Sequence, residues 1–247
     1  MRGLFVFLAA VCLGSVTAGC AVMSTSVQET AETVEPGHLK FGADYNIGLD
    51  LTTAVFLAND TSGTFSASEL AGLECYGLKL GIGVTDRLDL NAKVWAAMGG
   101  AGGRVYGKYR FTGRDARTSF AVAPGVTFVT TTSDDDEASS LDPYIAEISS
   151  NGAELPLILT HRLNDHVLVS GIVRYSLDSI EVAFPEESIL SELNETFLLH
   201  RIGLVNGWSF EFGSFYLRPE AGVELTTQAN GAFGLVPVVS GGLGFEF

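Results

Sequence analysis

The sequence predicts an all-β protein that folds as an antiparallel up-and-down barrel and crosses a membrane with its strands. Apolar residues alternate with polar ones along many segments, and the three long connections between these segments all follow odd-numbered ones. The chain also ends on an apolar strand. Mean hydropathy is +0.29, yet beyond the N-terminal segment no apolar run reaches the roughly 18 residues of a transmembrane helix. The apolar surface is therefore expected to lie on strands.

The segment 39–51 has the clearest alternation of apolar and polar residues. Its apolar positions recur at every second residue, which a helix would not produce. In a membrane barrel this face contacts lipid, and the polar face lines the interior. We therefore expect one outward face made of Leu39, Phe41, Ala43, Tyr45, Ile47, Leu49 and Leu51.

The same period of two predicts nine further strands, and ten is an even number, as single-chain bacterial barrels have. Eight or twelve strands remain alternatives. Pro124 cannot donate a backbone hydrogen bond, so an irregularity is expected there. The eighth strand has two alternative ends, at the turn residues Asn206-Gly207 or at Gly213-Ser214. The predicted strands after the first are 76–84, 88–98, 104–111, 120–128, 155–159, 167–175, one from 197, 215–225 and 235–247.

Connection lengths predict the orientation of the barrel. The long connections 58–73, 131–152 and 178–196 all follow odd-numbered strands, whereas every connection after an even-numbered strand is short. Outer-membrane barrels keep short turns in the periplasm and longer loops outside. Both termini are therefore expected in the periplasm. Within the last long loop, Pro185 to Leu193 could form a short helix, because proline suits the first helical turn.

Charged residues are sorted by face. The net charge of −15 argues against a nucleic-acid partner. The basic residues of the predicted strands fall on inward faces together with fewer acids, and ion pairs between them would fill a narrow lumen. The predicted lumen charge network consists of Lys79, Lys93, Lys108, Arg110, Arg174, Arg201, Arg218, Glu220 and Glu224.

The N-terminus reads as a secretory signal peptide over residues 1–19, with a basic start and a short apolar run. Thr17-Ala18-Gly19-Cys20 resembles a bacterial lipobox, which implies a lipid on Cys20. The motif usually has leucine where Thr17 stands, and ordinary cleavage nearby is the alternative. Residues 20–37 are predicted to be a flexible periplasmic tether and residues 38–247 the barrel. Cys75 has no second cysteine in the barrel, so no disulfide is expected.

The last strand carries apolar residues at alternate positions up to a terminal aromatic residue, with Leu243, Phe245 and Phe247 on one face. This ending resembles the C-terminal signal of bacterial outer-membrane barrels, which implies the barrel-assembly machinery as a partner. The span 38–247 resembles small OmpA-like or opacity-type barrels, which implies contact with outer-membrane lipid and lipopolysaccharide. A secreted β-sandwich is the alternative fold.

No catalytic constellation or cofactor site emerges from the sequence. The four histidines and the acids form no Ser-His-Asp or paired-aspartate arrangement at the outer end. Asp134, Asp135, Asp136 and Glu137 could bind a divalent cation, but a solvated acidic loop is the favoured interpretation. We expect a structural or surface-binding barrel with a plugged lumen. The alternatives are a narrow, weakly anion-selective pore and, less favoured, a protease or lipid-modifying enzyme.

Overall fold

A computed structural model describes residues 22–51, 71–97, 100–131, 147–183, 194–228 and 233–247. Within these residues no helix is long and apolar enough to cross a membrane. The described strands are β1 (Val22–Met23), β2 (Leu39–Asp50), β3 (Ala71–Thr85), β4 (Leu88–Ala97), β5 (Gly100–Arg110), β6 (Thr118–Val122), β7 (Gly125–Thr131), β8 (Glu147–Asn164), β9 (Val167–Ala183), β10 (Glu195–Phe212), β11 (Phe215–Gln228) and β12 (Phe233–Glu246).

Strands β2 to β12 form a closed antiparallel barrel. Apart from β6 and β7, each strand pairs with the next along the chain, and the ring closes where β12 pairs with β2. β6 and β7 share one position between β5 and β8, while β1 lies outside the ring order, so the wall has ten strands. The predicted fold class and strand number are confirmed. We call the two ends of the barrel the short-turn end (turns 86–87, 111–117, 165–166 and 213–214) and the long-loop end.

The outer surface of the wall is largely apolar, whereas the inner surface carries buried charged side chains among apolar ones. Lys79 is 4% exposed and its neighbour Leu80 is 53% exposed, because successive side chains of a strand point to opposite faces. Aromatic pairs lie on the outside near the short-turn end, including Phe111 with Phe120 and Phe215 with Phe245. Such a surface matches a lipid-facing band edged by aromatic residues.

The expected outward face of the first strand is wrong at its last two members. The register of β2 against β3 shifts between Gly48 and Leu49. Beyond this shift, Leu49 pairs with Met23 of β1. Leu49 and Leu51 are fully buried inside, whereas Tyr45 is exposed.

Two turn predictions have different outcomes. The expected irregularity at Pro124 is confirmed, since the wall strand is divided there into β6 and β7. The turn at Asn206-Gly207 is wrong, because both residues pair inside β10 with β9 and β11. The chain instead turns at Gly213, whose φ of 65° is readily adopted only by glycine.

Strands β8, β9 and β10 extend further toward the long-loop end than predicted. The segments 147–152 and 178–183, which the sequence predicts to belong to the loops 131–152 and 178–196, form paired strands. In these extensions the pattern reverses, with Ile148, Ile180 and Val182 buried inside and polar residues outside. The predicted helix at 185–193 lies outside the described residues.

The predicted flexible tether over residues 20–37 does not match the structure from Val22 onward. Residues 22–38, named here the inner segment, pass through the interior of the barrel, and their side chains from Val22 to Ala31 are buried. The segment hydrogen-bonds inward-facing residues of β3, β4, β5, β8, β11 and β12, including Lys79, Asp89 and Glu220. The inward faces of the wall hold more bases than acids, and the segment supplies acceptors for them.

Candidate functional site: the barrel interior and its inner segment

The inner segment is tied to the wall at both ends. Val22 pairs with Asp50 and Met23 with Leu49, beyond the point where the pairing of β2 with β12 has ended. At the short-turn end the Gly37 backbone N–H donates to the Gly83 carbonyl over 2.9 Å. The segment therefore runs the length of the interior before β2 begins.

Glu29 lies at the centre of a buried cluster. Its carboxylate forms ion pairs with Lys79 of β3 and with Lys108 of β5, the latter at 3.0 Å, and accepts a hydrogen bond from the Tyr106 hydroxyl. Lys108 also pairs with Asp89 of β4 at 3.0 Å. All these side chains are at most 4% exposed, so solvent screens their interactions little.

The backbone of the inner segment provides further acceptors. The Gln28 carbonyl accepts from Lys79 at 3.1 Å and from Arg218 of β11 at 2.8 Å. The φ of Gln28 is 51°, a left-handed conformation that costs a non-glycine residue roughly 1–2 kcal/mol. The two charged donors, with a bond from the Gln28 amide to Ser240 of β12 at 2.8 Å, hold it there.

A second cluster of ion pairs belongs to the wall alone. Arg201 of β10 pairs with Asp178 of β9 at 2.8 Å and with Glu224 of β11 at 2.9 Å. Glu224 also pairs with Arg174 of β9. These two residues both lie opposite Gly203 of β10, and the missing side chain there lets them meet across the intervening strand.

The structure brings most of the predicted lumen charge network into these two clusters. All nine members are buried inside the barrel. Lys93 pairs with Asp44 at 2.8 Å, whereas Glu220 accepts from the Val27 backbone N–H at 3.2 Å and from Ser240 at 3.0 Å. Arg110 has an Nε and an Nη2 that are buried without a hydrogen-bond partner among the described residues.

The interior changes character toward the long-loop end, where it becomes apolar. Val22 and Met23 pack there with residues from several wall strands. The Trp95 indole N–H donates to the Val22 carbonyl at 3.0 Å, which satisfies a buried donor. The remaining members of this apolar layer are Leu49, Leu51, Cys75, Ala97, Val129, Ile148, Ile180, Val182, Leu199 and Val236.

The short-turn end contains a polar cavity of about 390 Å³ between the inner segment and the wall. Arg162 pairs with Glu32, and Arg114 pairs with Glu35 at 2.7 Å. The cavity is polar, whereas the interior around Val22 and Met23 is apolar. Other residues that line it are Thr30, Thr33, His38, Lys40, Arg110, Glu211, Gly213, Ser214, Phe215, Tyr216 and Glu246.

The other predicted site residues divide into those described and those outside the described residues. Leu243, Phe245 and Phe247 lie on the outer face of the last strand and are about half exposed. Cys20 and the acidic group Asp134, Asp135, Asp136 and Glu137 fall outside the described residues. Within the described ranges, no group of three or more His, Cys, Asp or Glu side chains is arranged to hold a metal ion.

Glu29 is the functional residue that the sequence reasoning missed. It lies in a stretch without period-two alternation, and the sequence predicts a flexible tether there. The available signal was the excess of bases on inward faces, since buried bases without acids require another source of carboxylates. That excess was interpreted only as a possible anion preference.

The chain was compared with protein families, curated protein sequences and solved structures. No family model and no curated protein sequence matches the chain. Among solved structures, it is similar to the outer membrane protease OmpT from Escherichia coli, with 6% identity, a TM-score of 0.48, and 90% of this chain and 100% of that chain covered.

Two further solved structures are similar over most of their length. Ail, the attachment invasion locus protein of Yersinia pestis, has 8% identity, a TM-score of 0.41, and coverage of 86% of this chain and 99% of that chain. Neisserial surface protein A has 13% identity, a TM-score of 0.40, and coverage of 85% and 96% respectively. At these identities and TM-scores, no conclusion about this chain is drawn from the similarities.

Proposed function

We propose that this protein is a bacterial outer-membrane barrel whose lumen is closed by its own inner segment. Its role is structural or surface-binding, and it does not conduct solutes in this state. The observation that carries the proposal is Glu29, because its carboxylate occupies the middle of the lumen and binds bases from two wall strands. An open water-filled channel would leave these bases to solvent.

The outer surface supports residence in a membrane. Large apolar side chains such as Leu80, Leu204 and Val126 are more than half exposed, and they recur around the wall. In water such a continuous apolar band would drive association with another apolar surface. A closed barrel leaves no unpaired strand edge in lipid, which makes the arrangement compatible with a bilayer.

The long loops are the proposed working surface. By sequence they carry many carboxylates, including Asp134 and Glu137, and in outer-membrane barrels such loops face the exterior. Lipopolysaccharide phosphates would repel these charges unless divalent cations bridge them. Binding of the folded protein to lipopolysaccharide vesicles is therefore expected to require Mg²⁺ or Ca²⁺ and to be lost with EDTA.

The alternative is a narrow, weakly anion-selective pore that opens when the inner segment leaves. The excess of wall bases favours this alternative. Lys79 and Arg218 donate hydrogen bonds to acceptors of the inner segment, so withdrawal of the segment would leave these bases facing water. A positively charged lumen attracts anions.

Planar-bilayer recording of the purified protein tests both functions. We expect no steady conductance from the wild type, and anion-preferring openings from Glu29→Gln and from a variant that lacks residues 22–34. Steady wild-type conductance whose anion preference is lost in Arg174→Glu or Arg218→Glu would contradict a closed barrel and support the pore. Glu181→Gln, which changes an exposed carboxylate of β9, is the matched control and should stay closed.

A further inference from the structure

The path of the inner segment determines at which end the chain enters the barrel. Val22 and Met23 pair with the last residues of β2, and Trp95 near the end of β4 donates to the Val22 carbonyl. Farther along, the Thr33 hydroxyl donates to the carbonyl of Asp86 at 2.8 Å, in a short turn. The chain thus enters at the long-loop end and descends to the short-turn end.

The C-terminus lies at the opposite end from Val22. The Leu39 N–H donates to the Phe247 carbonyl at 2.7 Å, and the Phe247 N–H donates to the Leu39 carbonyl at 2.9 Å. Leu39 is where β2 begins, at the short-turn end. The first described residue and the last residue of the chain are therefore separated by the full height of the barrel.

We propose that the chain enters the barrel from the long-loop face of the membrane, so that Val22 and Phe247 lie on opposite sides. This arrangement differs from the expectation that both termini are periplasmic. It needs the barrel to span a membrane, as proposed above, but it does not need the lumen to be impermeable to ions.

Contacts along the whole inner segment support this threading. They include Ser24 with Asn46 at 3.2 Å, the Ala31 N–H with Thr160 at 2.8 Å and the Val34 N–H with Asp89 at 3.0 Å. To reach the short-turn side instead, the residues before Val22 would have to pass back through the interior. Val22 and Met23 are at most 1% exposed and packed in the apolar layer, so a second passage would disrupt that packing.

The threading has a chemical consequence for Cys20. This residue precedes Val22 by two positions, and two extended residues span at most about 7 Å. If Cys20 carries acyl chains, they enter the leaflet on the long-loop side. A lipid anchored in the opposite leaflet would have to pull the inner segment out of the barrel, at the cost of its buried ion pairs.

Epitope insertion tests the proposed orientation in cells. One tag is inserted between Ala21 and Val22, a second between Asp135 and Asp136 in a long loop, and a third between Asp115 and Ala116 in a short turn. We expect antibody to label the first two tags on intact cells, and the third only after permeabilisation. Labelling of the first tag only after permeabilisation, together with the third, would overturn the proposal.

A disulfide measurement covers the case in which the tag disturbs folding. In a Cys75→Ser background, Ser24→Cys with Asn46→Cys should form an intramolecular disulfide, because the native side chains touch. Thr33→Cys with Asn46→Cys should not, and Asn46→Cys alone reports any reaction with Cys20. Absence of the 24–46 link, or formation of the 33–46 link, would overturn the threading even if the lumen proves non-conducting.

Discussion

The interior of the barrel contains two clusters of ion pairs that obtain their carboxylates from different places. In the wall cluster, Arg174 and Arg201 pair with Asp178 and Glu224 of adjacent strands. In the segment cluster, Lys79 and Lys108 pair with Glu29, which belongs to the inner segment and not to a wall strand. Both clusters are buried, so their difference lies in which part of the chain must be in place.

This difference separates the stability of the wall from the state of the lumen. The wall cluster is complete once β9, β10 and β11 have paired, because its members lie on those strands. The segment cluster forms only when residues 22–38 also occupy the interior. Substitutions in the wall cluster should therefore mainly lower the free energy of unfolding. Substitutions in the segment cluster should mainly open the lumen to ions.

The largest expected effect on stability comes from Glu224→Gln. This change leaves Arg174 and Arg201 buried with a neutral partner, and breaking a buried pair typically costs about 3–5 kcal/mol. Urea unfolding in lipid vesicles should show a loss of that order, with the lumen still closed to ions. The exposed Glu181→Gln is the control. A Glu224→Gln variant as stable as wild type would remove the basis for two separate clusters.

Glu29→Gln should destabilise the protein less, by about 1.5–3 kcal/mol, the range for hydrogen bonds to charged groups. The inner segment can leave and admit water to Lys79 and Lys108, whereas the wall cannot open around Arg174. The same urea titration measures the loss of stability. Of the two variants, Glu29→Gln should conduct ions and Glu224→Gln should not. If Glu29→Gln and Glu224→Gln lost equal stability and neither conducted ions in bilayers, the segment would behave as part of the wall.

A pair of adjacent glycines probes the segment contact at a finer scale. A Cβ at Gly242 would lie 2.3 Å from the Gln28 amide oxygen, whereas a Cβ at Gly241 would meet nothing within 4 Å. Gly242→Ala should therefore displace the flexible Gln28 side chain and cost about 1 kcal/mol, at the low end for overpacking. It should also increase brief openings in bilayers. Gly241→Ala should match wild type in both measurements.

The smallest change is expected in the reactivity of the Cys75 thiol. Cys75 is fully buried in the apolar layer with Val22 and Met23, so a maleimide should modify it slowly in the folded protein. In a Cys20→Ser background, Glu29→Gln should accelerate the modification, whereas Glu224→Gln should leave the rate near that of the parent until unfolding begins. The reverse order of rates would assign the apolar layer to the wall cluster.

The sequence alone was sufficient to predict the strands of the wall and the faces of most of their side chains. Alternation along segments such as 88–98 and 215–225 indicates which residues lie on the outer face, because side chains of a strand alternate between its faces. It therefore predicted ten strands, the irregularity at Pro124 and the inward position of Arg174 and Arg218. These features depend on neighbours along one strand or on the parity of connections, which a single sequence contains.

The same rule failed where the surroundings change with height along the barrel. Above the apolar outer band the outside is polar and the inside is filled by Val22 and Met23. Strand residues such as Ile148 and Ile180 therefore point inward, and their neighbours on the outside are polar. The pairing of Leu49 with Met23 places Leu49 inside. A period of two that assumes an apolar outer face along the whole strand predicts neither change.

Only the tertiary structure decided the place of the inner segment. Its residues have no regular alternation, because they contact different wall strands at successive positions instead of one neighbouring strand. Glu29 meets Lys79 and Lys108 across long separations in sequence, and no local pattern encodes such a contact. The sequence determined that the wall carries more bases than acids. Closure of the barrel decided which carboxylate balances them, since burial inside a narrow lumen makes unpaired charge costly.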